Sequence, residues 1–117
     1  MVIDLRRICS TLVEKETQTI KFGGGCTWED VNGILWHHGL ATVSGVVGDT
    51  GVGGLILCGD YRYLTGRCGL ALDCLISFEV VLANADVLTA SKEESADLFW
   101  ALRGAGPNFG IVTHFTS

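Results

Sequence analysis

The sequence predicts an α+β fold, an antiparallel-type sheet with flanking helices, and three observations predict it. Short alternating apolar runs of the strand type outnumber the helical ones. One stretch, 77–91, reads as a complete β-hairpin, and hairpin-joined strands are antiparallel. The helical stretches do not alternate with strands in the regular βαβ rhythm of a doubly wound sheet. A chain of 117 residues with 48% hydrophobic content suits one such domain with a real core and is too short for two.

The elements follow in order. The opening MVIDLRRICS reads as a strand entering mid-fold, with no charged region leading into an apolar stretch as in a secretory signal. Gln18–Phe22, QTIKF, alternates as a strand and runs into a turn at Gly23-Gly24-Gly25. CTWEDVNGILWHHGLAT then reads as a helix. Thr27 is placed to cap it, Asp30 stands three residues on, and Glu29 and Asp30 suit the positive end of the helix dipole. Trp28, Val31, Leu35 and Ile34 share a face at spacings of three and four. Gly39 ends the helix, with His37 and His38 in its last turn, where helix-end donors are favoured. The pair reads as a helix terminus, because adjacent helical positions point about 100° apart and converge poorly on one ion.

SFEVVLANADVLTAS is the clearest hairpin. Phe78, Val80 and Leu82 alternate, Asn84-Ala85 turns, and Val87 and Thr89 continue outward. Ser91 starts a polar link to a short helix capped by Ser95, with Leu98, Phe99 and Leu102 on its buried side. RGAGPNFG is predicted irregular, because Pro107 and its glycines deny it regular structure. IVTHFTS is a final strand.

Composition excludes several classes. A net charge of −5 and a pI near 4.9, with no Lys/Arg cluster, argue against nucleic acid as a partner. No apolar run approaches the length of about 20 residues that a membrane span needs, so no membrane partner is expected. Cys9, Cys26, Cys58, Cys68 and Cys74 are an odd set without a CxxC, and the histidines lie at no zinc-finger spacing from them. They read as free, mostly buried thiols, and no metal site is expected.

The densest signal is VGDTGVGGLILCGDYRY, Val47–Tyr63, where glycines flank a short apolar run. It is not a Walker loop, since no lysine lies between Lys21 and Lys92. It is not a dinucleotide fingerprint either, because Ile56 occupies the third glycine's place and no long amphipathic helix follows. What remains is a glycine loop of another design. Asp49 and Thr50 offer side-chain contacts, while Gly51, Gly53 and Gly54 present successive N–H groups without Cβ shielding, which suits a pyrophosphate. Composition alone leaves an alternative open, a glycine-rich turn that lets two backbones pack.

GGGCTWEDVN (23–32), LATVSGVVGDTGVGGL (40–55), YLTGRCGLALD (63–73), EVVLANADVLTAS (79–91) and DLFWALRGAGPNFGIVTHF (97–115) together resemble one family in order and spacing. It is the FAD-binding, PCMH-type domain of the vanillyl-alcohol-oxidase and berberine-bridge-enzyme flavoproteins, here its second FAD lobe. The resemblance implies FAD as cofactor and partner. Val47, Gly48, Asp49, Thr50, Gly51, Gly53, Gly54 and Leu55 would wrap its pyrophosphate and ribityl chain. Gly59 and Tyr61 would lie along the flavin side, and Gly110, Ile111 and Val112 would meet the adenine or ribose end through main-chain groups.

The resemblance also marks differences. Nothing here matches the family's glycine-glycine-histidine turn or its substrate-binding domain, so an incomplete piece without turnover of its own is expected. The alternative is a non-catalytic, partner-dependent remnant. Val47 stands where some relatives carry a flavin-linked cysteine, so FAD is expected to bind this segment non-covalently. Asp60 replaces a glycine and would bring a like charge toward the diphosphate, which Arg62 could offset. Cys74 stands where an asparagine is common. Asp49, His114, Tyr61 and Tyr63 read as structural, no catalytic residue is assigned, and the small-molecule substrate is left open.

Overall fold

A computed structural model describes residues 1–59 and 61–117; the expected effect of Asp60 therefore lies outside the described residues. The strands are β1 (Thr11–Glu14), β2 (Thr19–Gly23), β3 (Ser77–Val81), β4 (Val87–Ser91) and β5 (Ile111–Thr116). The helices are α1 (Trp28–His37), α2 (Val52–Cys58), α3 (Thr65–Cys68) and α4 (Ala96–Ala105), with 3₁₀ turns at Ala71–Cys74 and Gly106–Asn108. The strands form one sheet in the order β1-β2-β5-β3-β4, antiparallel throughout. The α+β expectation with an antiparallel sheet holds.

Alternation puts one face of this sheet against the helices. Phe22, Phe115 and Phe78 sit opposite one another across β2, β5 and β3. Their rings form the centre of the core, with Phe22 and Phe115 centroids 5.6 Å apart and Phe78 and Phe115 centroids 5.7 Å apart. Trp28 from α1 and Phe99 from α4 close on this row at 6.3 and 5.4 Å. The other face carries Lys21, Glu79 and His114. Glu79 pairs with Lys21 and, 3.0 Å away, with His114 Nδ1.

Several local readings hold. The hairpin β3–β4 turns at Leu82–Asp86, with Ala85 at φ +69°. The Leu82 N–H donates to Asp86 O, and the Asp86 N–H donates to Asn84 Oδ1. Helix α1 has the capping box: the Asp30 N–H donates to Thr27 Oγ1, and the Thr27 N–H donates to Asp30 Oδ2 at 2.8 Å. Trp28, Val31 and Leu35 are buried along its inner face, with Ile34 half-buried. In α4, Phe99 and Leu102 are buried, and the helix breaks at Arg103–Gly104, where Gly104 has φ +117°. Gly106–Asn108 then form a short 3₁₀ turn with Pro107 in its middle, so the stretch predicted irregular is partly helical.

Other readings need correction. Residues 1–10 form no strand; β1 begins only at Thr11. The stretch instead crosses the glycine run, where the Gly25 N–H donates to Ile8 O and the Gly23 N–H to Ser10 O. Its hydrogen bonds thus go to glycine backbone rather than to a ladder partner. Ser95 does not cap α4 by its side chain and takes a left-handed conformation. The polar contacts there belong to Ser91, whose Oγ accepts from the N–H groups of Glu93 and Glu94. The thiols are not mostly buried. Cys9, Cys58 and Cys68 are exposed, Cys74 is half-buried, and Cys26 alone is fully enclosed. Among the described residues no helix is long and apolar enough to cross a membrane.

Candidate functional site

The glycine stretch is not a loop throughout. From Val52 it is helix α2, with Gly51 as its N-cap and Gly59 as its C-cap at φ +74°. The sequence hides this helix behind two glycines, each about 0.8–1 kcal/mol worse than alanine in a helix interior. Burial of Val52, Leu55, Ile56 and Leu57 supplies what local propensity lacks. The apolar residues of α2 therefore face the core, Gly54 faces outward, and Gly53 is half-buried beside Gly24.

Those glycines line a cleft of about 370 Å³. Gly51, Gly53, Gly54 and Leu57 come from α2 and its cap, Pro107, Gly110, Ile111 and Val112 from the turn and start of β5, and Leu5 and Gly24 complete the lining. Among the described residues no lining residue is ionisable, so a charge bound there meets main-chain dipoles and apolar carbon of these residues. The amides of Gly53 and Gly54 stand in the first turn of α2, where a helix offers no internal acceptor. No side chain caps them. The Val52 N–H is used, donating to Cys26 O at 3.0 Å, and it joins the cleft to α1 through the Thr27–Gly51 bridge.

The cleft brings together six of the sequence-predicted residues: Gly51, Gly53, Gly54, Gly110, Ile111 and Val112. The others lie elsewhere. Thr50 O accepts from the Trp28 N–H and Gly48 O from the Glu29 N–H, so 47–50 wraps the start of α1. Val47, Asp49 and Thr50 are exposed there. Leu55 is buried in the core, and Gly59 ends α2. Tyr61 lines a separate depression with Val46, Arg62 and Tyr63. Leu5 and Gly24 were not singled out by the sequence. Gly24 lay in a visible glycine run, but nothing in MVIDLRRICS signals that Leu5 reaches this cleft.

A Cβ added at Gly51 or Gly54 would meet nothing within 4 Å, and neither residue has a left-handed φ. Among the described residues, nothing requires glycine at either place. The residues present therefore fit a ligand that comes close to main-chain N–H groups, as a dinucleotide diphosphate does.

A family described as "FAD binding domain" matches residues 1–91. The chain belongs to this FAD-binding domain family. It is 56% identical to an FAD-linked oxidoreductase, pgmH, of Aspergillus terreus over 98% of its own length and 23% of that protein. Among solved structures it resembles 6-hydroxy-D-nicotine oxidase of Arthrobacter nicotinovorans, with a TM-score of 0.95 and 39% identity over 98% of this chain and 25% of that one. It also resembles a berberine-bridge-enzyme-like protein of Physcomitrella patens, with a TM-score of 0.91 and 30% identity over 95% of this chain and 24% of that one. The chain thus spans about a quarter of the length of these relatives. Its fold is that of the PCMH-type flavoprotein oxidases.

Proposed function

We propose that the cleft between α2 and β5 is one wall of the FAD site of an FAD-linked oxidoreductase. The N–H groups of Gly53 and Gly54 meet the diphosphate there, while Gly110, Ile111 and Val112 flank the adenosine side through main-chain groups. The observation that carries this reading is the cleft lined by Gly51 and Gly54, where the chain itself leaves room for a Cβ on both. Bound flavin would supply two-electron hydride chemistry. The contribution of these residues is to hold and orient, since none of the described residues lining the cleft is an acid or base. Val47, Gly48, Asp49 and Thr50 support the site indirectly, by fixing the N-cap of α2 against α1, and Gly59 and Tyr61 extend it toward the flavin end. The substrate is a small molecule whose class nothing in this cleft selects.

Attachment through this segment is non-covalent. No cysteine lies between Cys26 and Cys58, and neither a cysteine nor a histidine lines the cleft. Acid precipitation of FAD-loaded chain should leave the flavin in the supernatant; flavin that sediments with the protein would refute the point.

The deciding experiment is an FAD titration followed by flavin fluorescence. With one wall only, the chain should quench saturably with a Kd on the order of 0.1–1 mM, about −4 to −5.5 kcal/mol. Gly54→Leu fills the cleft without meeting any atom of the chain within 4 Å of its Cβ. It should weaken binding at least about tenfold, some 1.4 kcal/mol, at a urea midpoint no lower than that of the wild type. Equal affinity in the variant, or no saturable quenching up to millimolar FAD, would remove the reading.

One observation favours a second reading, a module that works only when covered by other protein. Trp36 and Tyr63 are 81% and 88% exposed beside an apolar groove they share with Leu40 and Leu64, a surface of the kind that marks interaction sites. A monodisperse monomer in sizing experiments at high concentration would count against it.

A further inference from the structure

Two thiols outside the cleft stand together. Cys68 ends α3 and is exposed; Cys74 ends the 3₁₀ turn and is half-buried. The chain between them doubles back at Gly69, φ +83°, whose N–H donates to Thr65 O at 2.9 Å. The Leu70 N–H then donates to Asp73 Oδ2 at 3.0 Å, and the Asp73 N–H to Leu70 O at 2.9 Å. As a result the Cys74 thiol donates to the carbonyl oxygen of Cys68 itself, at 3.4 Å. A carbonyl oxygen lies at most about 2.75 Å from its own Cα, which puts Cys74 Sγ within about 6 Å of the Cys68 Cα. Cys74 Sγ lies about 2.8 Å from its own Cα, so the two Cα atoms are within about 9 Å. Disulfides usually join Cα atoms about 4.4–6.8 Å apart, so closing the bond takes side-chain rotation and up to a few ångströms of movement in the turn between them. Arg103 holds the turn from the other side, donating from Nε to Leu72 O and from Nη2 to Asp73 Oδ1.

We propose that Cys68 and Cys74 form an intrachain redox pair, converted from dithiol to disulfide by a hydroperoxide. The exposed Cys68 thiolate attacks the O–O bond. One oxygen goes to sulfur as a sulfenic acid, and the other leaves and takes a proton as water. The Cys74 sulfur then attacks the sulfenic sulfur, the S–S bond forms, and the displaced hydroxide takes the Cys74 proton as a second water. Two thiols and one hydrogen peroxide give one disulfide and two waters; sulfur is oxidised and peroxide oxygen reduced. Burial, and then the negative charges of Cys68 and Asp73, push the Cys74 thiol up. That suits it to wait as the protonated, resolving partner rather than to react first. The disulfide would tie α3 to the 3₁₀ turn that Arg103 fastens to α4. This proposal is independent of the FAD site.

The test is to treat the chain with near-stoichiometric hydrogen peroxide, block remaining thiols with N-ethylmaleimide, and map it without reduction. The intact mass should fall by two hydrogens, a Cys68–Cys74 cross-linked peptide should appear, and the exposed Cys58 should be alkylated in the same digest. Cys68→Ser and Cys74→Ser should each abolish the cross-link while keeping the wild-type far-UV circular dichroism. In Cys74→Ser, dimedone should trap a sulfenic acid at Cys68. Sulfinic acid at Cys68 with Cys74 still free to alkylate would overturn the proposal. So would a cross-link from either residue to Cys9, Cys26 or Cys58. A serine variant with altered circular dichroism does not bear on the wild-type map, which decides alone.

Discussion

The glycine runs at 23–25 and 51–54 look alike in the sequence and do opposite things. At Gly23 an added Cβ would lie 2.0 Å from Ile8 O, and at Gly25 1.9 Å from Leu5 O. The crossing backbone of residues 5–8 itself forbids side chains there. At Gly51 and Gly54 a Cβ meets nothing within 4 Å. The first run is glycine because the fold is tight, the second although the fold leaves it room. Packing of two backbones is thus realised at 23–25, while the room at Gly51 and Gly54 is what supports the proposed approach of a ligand. Gly24 joins them, crowded by Val112 O at 2.6 Å yet lining the cleft.

The largest effect that would test this contrast is Gly25→Ala. Relief of a 1.9 Å approach to backbone requires residues 5–8 to move, and a loss of about 3 kcal/mol in urea unfolding is expected. A loss within experimental error would show that the crossing segment is loosely held. Next comes Thr27→Ala. The Thr27 hydroxyl caps α1, so about 1 kcal/mol should be lost, while the backbone bridge to Gly51 stays and FAD affinity should be unchanged. Gly54→Ala should act in the other direction, raising stability by roughly 0.5 kcal/mol through helix propensity and reduced freedom of the unfolded chain. A destabilised Gly54→Ala would mean that the two runs do not differ as described.

The smallest effect is a pH dependence. The Asp30 carboxyl is held below its usual value by the backbone N–H and then the hydroxyl of Thr27. A lowered folded value contributes stability above the unfolded value, and this is lost as pH falls below about 4. Because Asp30 is nearly exposed, the wild type should lose only slightly more stability than Thr27→Ala between pH 5 and 3. Equal losses in the two proteins would dissociate the cap from this titration.

Much of the fold was legible because its signals were local. The alternation in β3 and β4, the Thr27–Asp30 box and the apolar face of α1 each need only neighbours in sequence. Helix α2 was not legible, because in seven residues Gly53 and Gly54 outweigh the spacing of Val52, Leu55 and Ile56, which only tertiary burial rewards. The stretch 1–10 misled for the converse reason: its apolar residues suggest a ladder, and its partners are glycine amides far along the chain. In the site, Gly51, Gly53 and Gly54 were readable as a run, and Gly110–Val112 only through resemblance. Their meeting in one cleft, and the presence of Leu5 there, depend on how α2 and β5 pack, which no local pattern encodes.

Strand β5 lies between β2 and β3, although it is the last strand in sequence. Until residues 111–116 emerge from a ribosome, β1–β2 and β3–β4 are two separate hairpins, each marginal alone in water. Phe22 and Phe78 have no Phe115 to meet until then. The sheet therefore closes in one late event that joins distant parts of the chain, a topology that slows folding. Nascent chains arrested before residue 111 should remain protease-sensitive throughout, rather than show a protected N-terminal half.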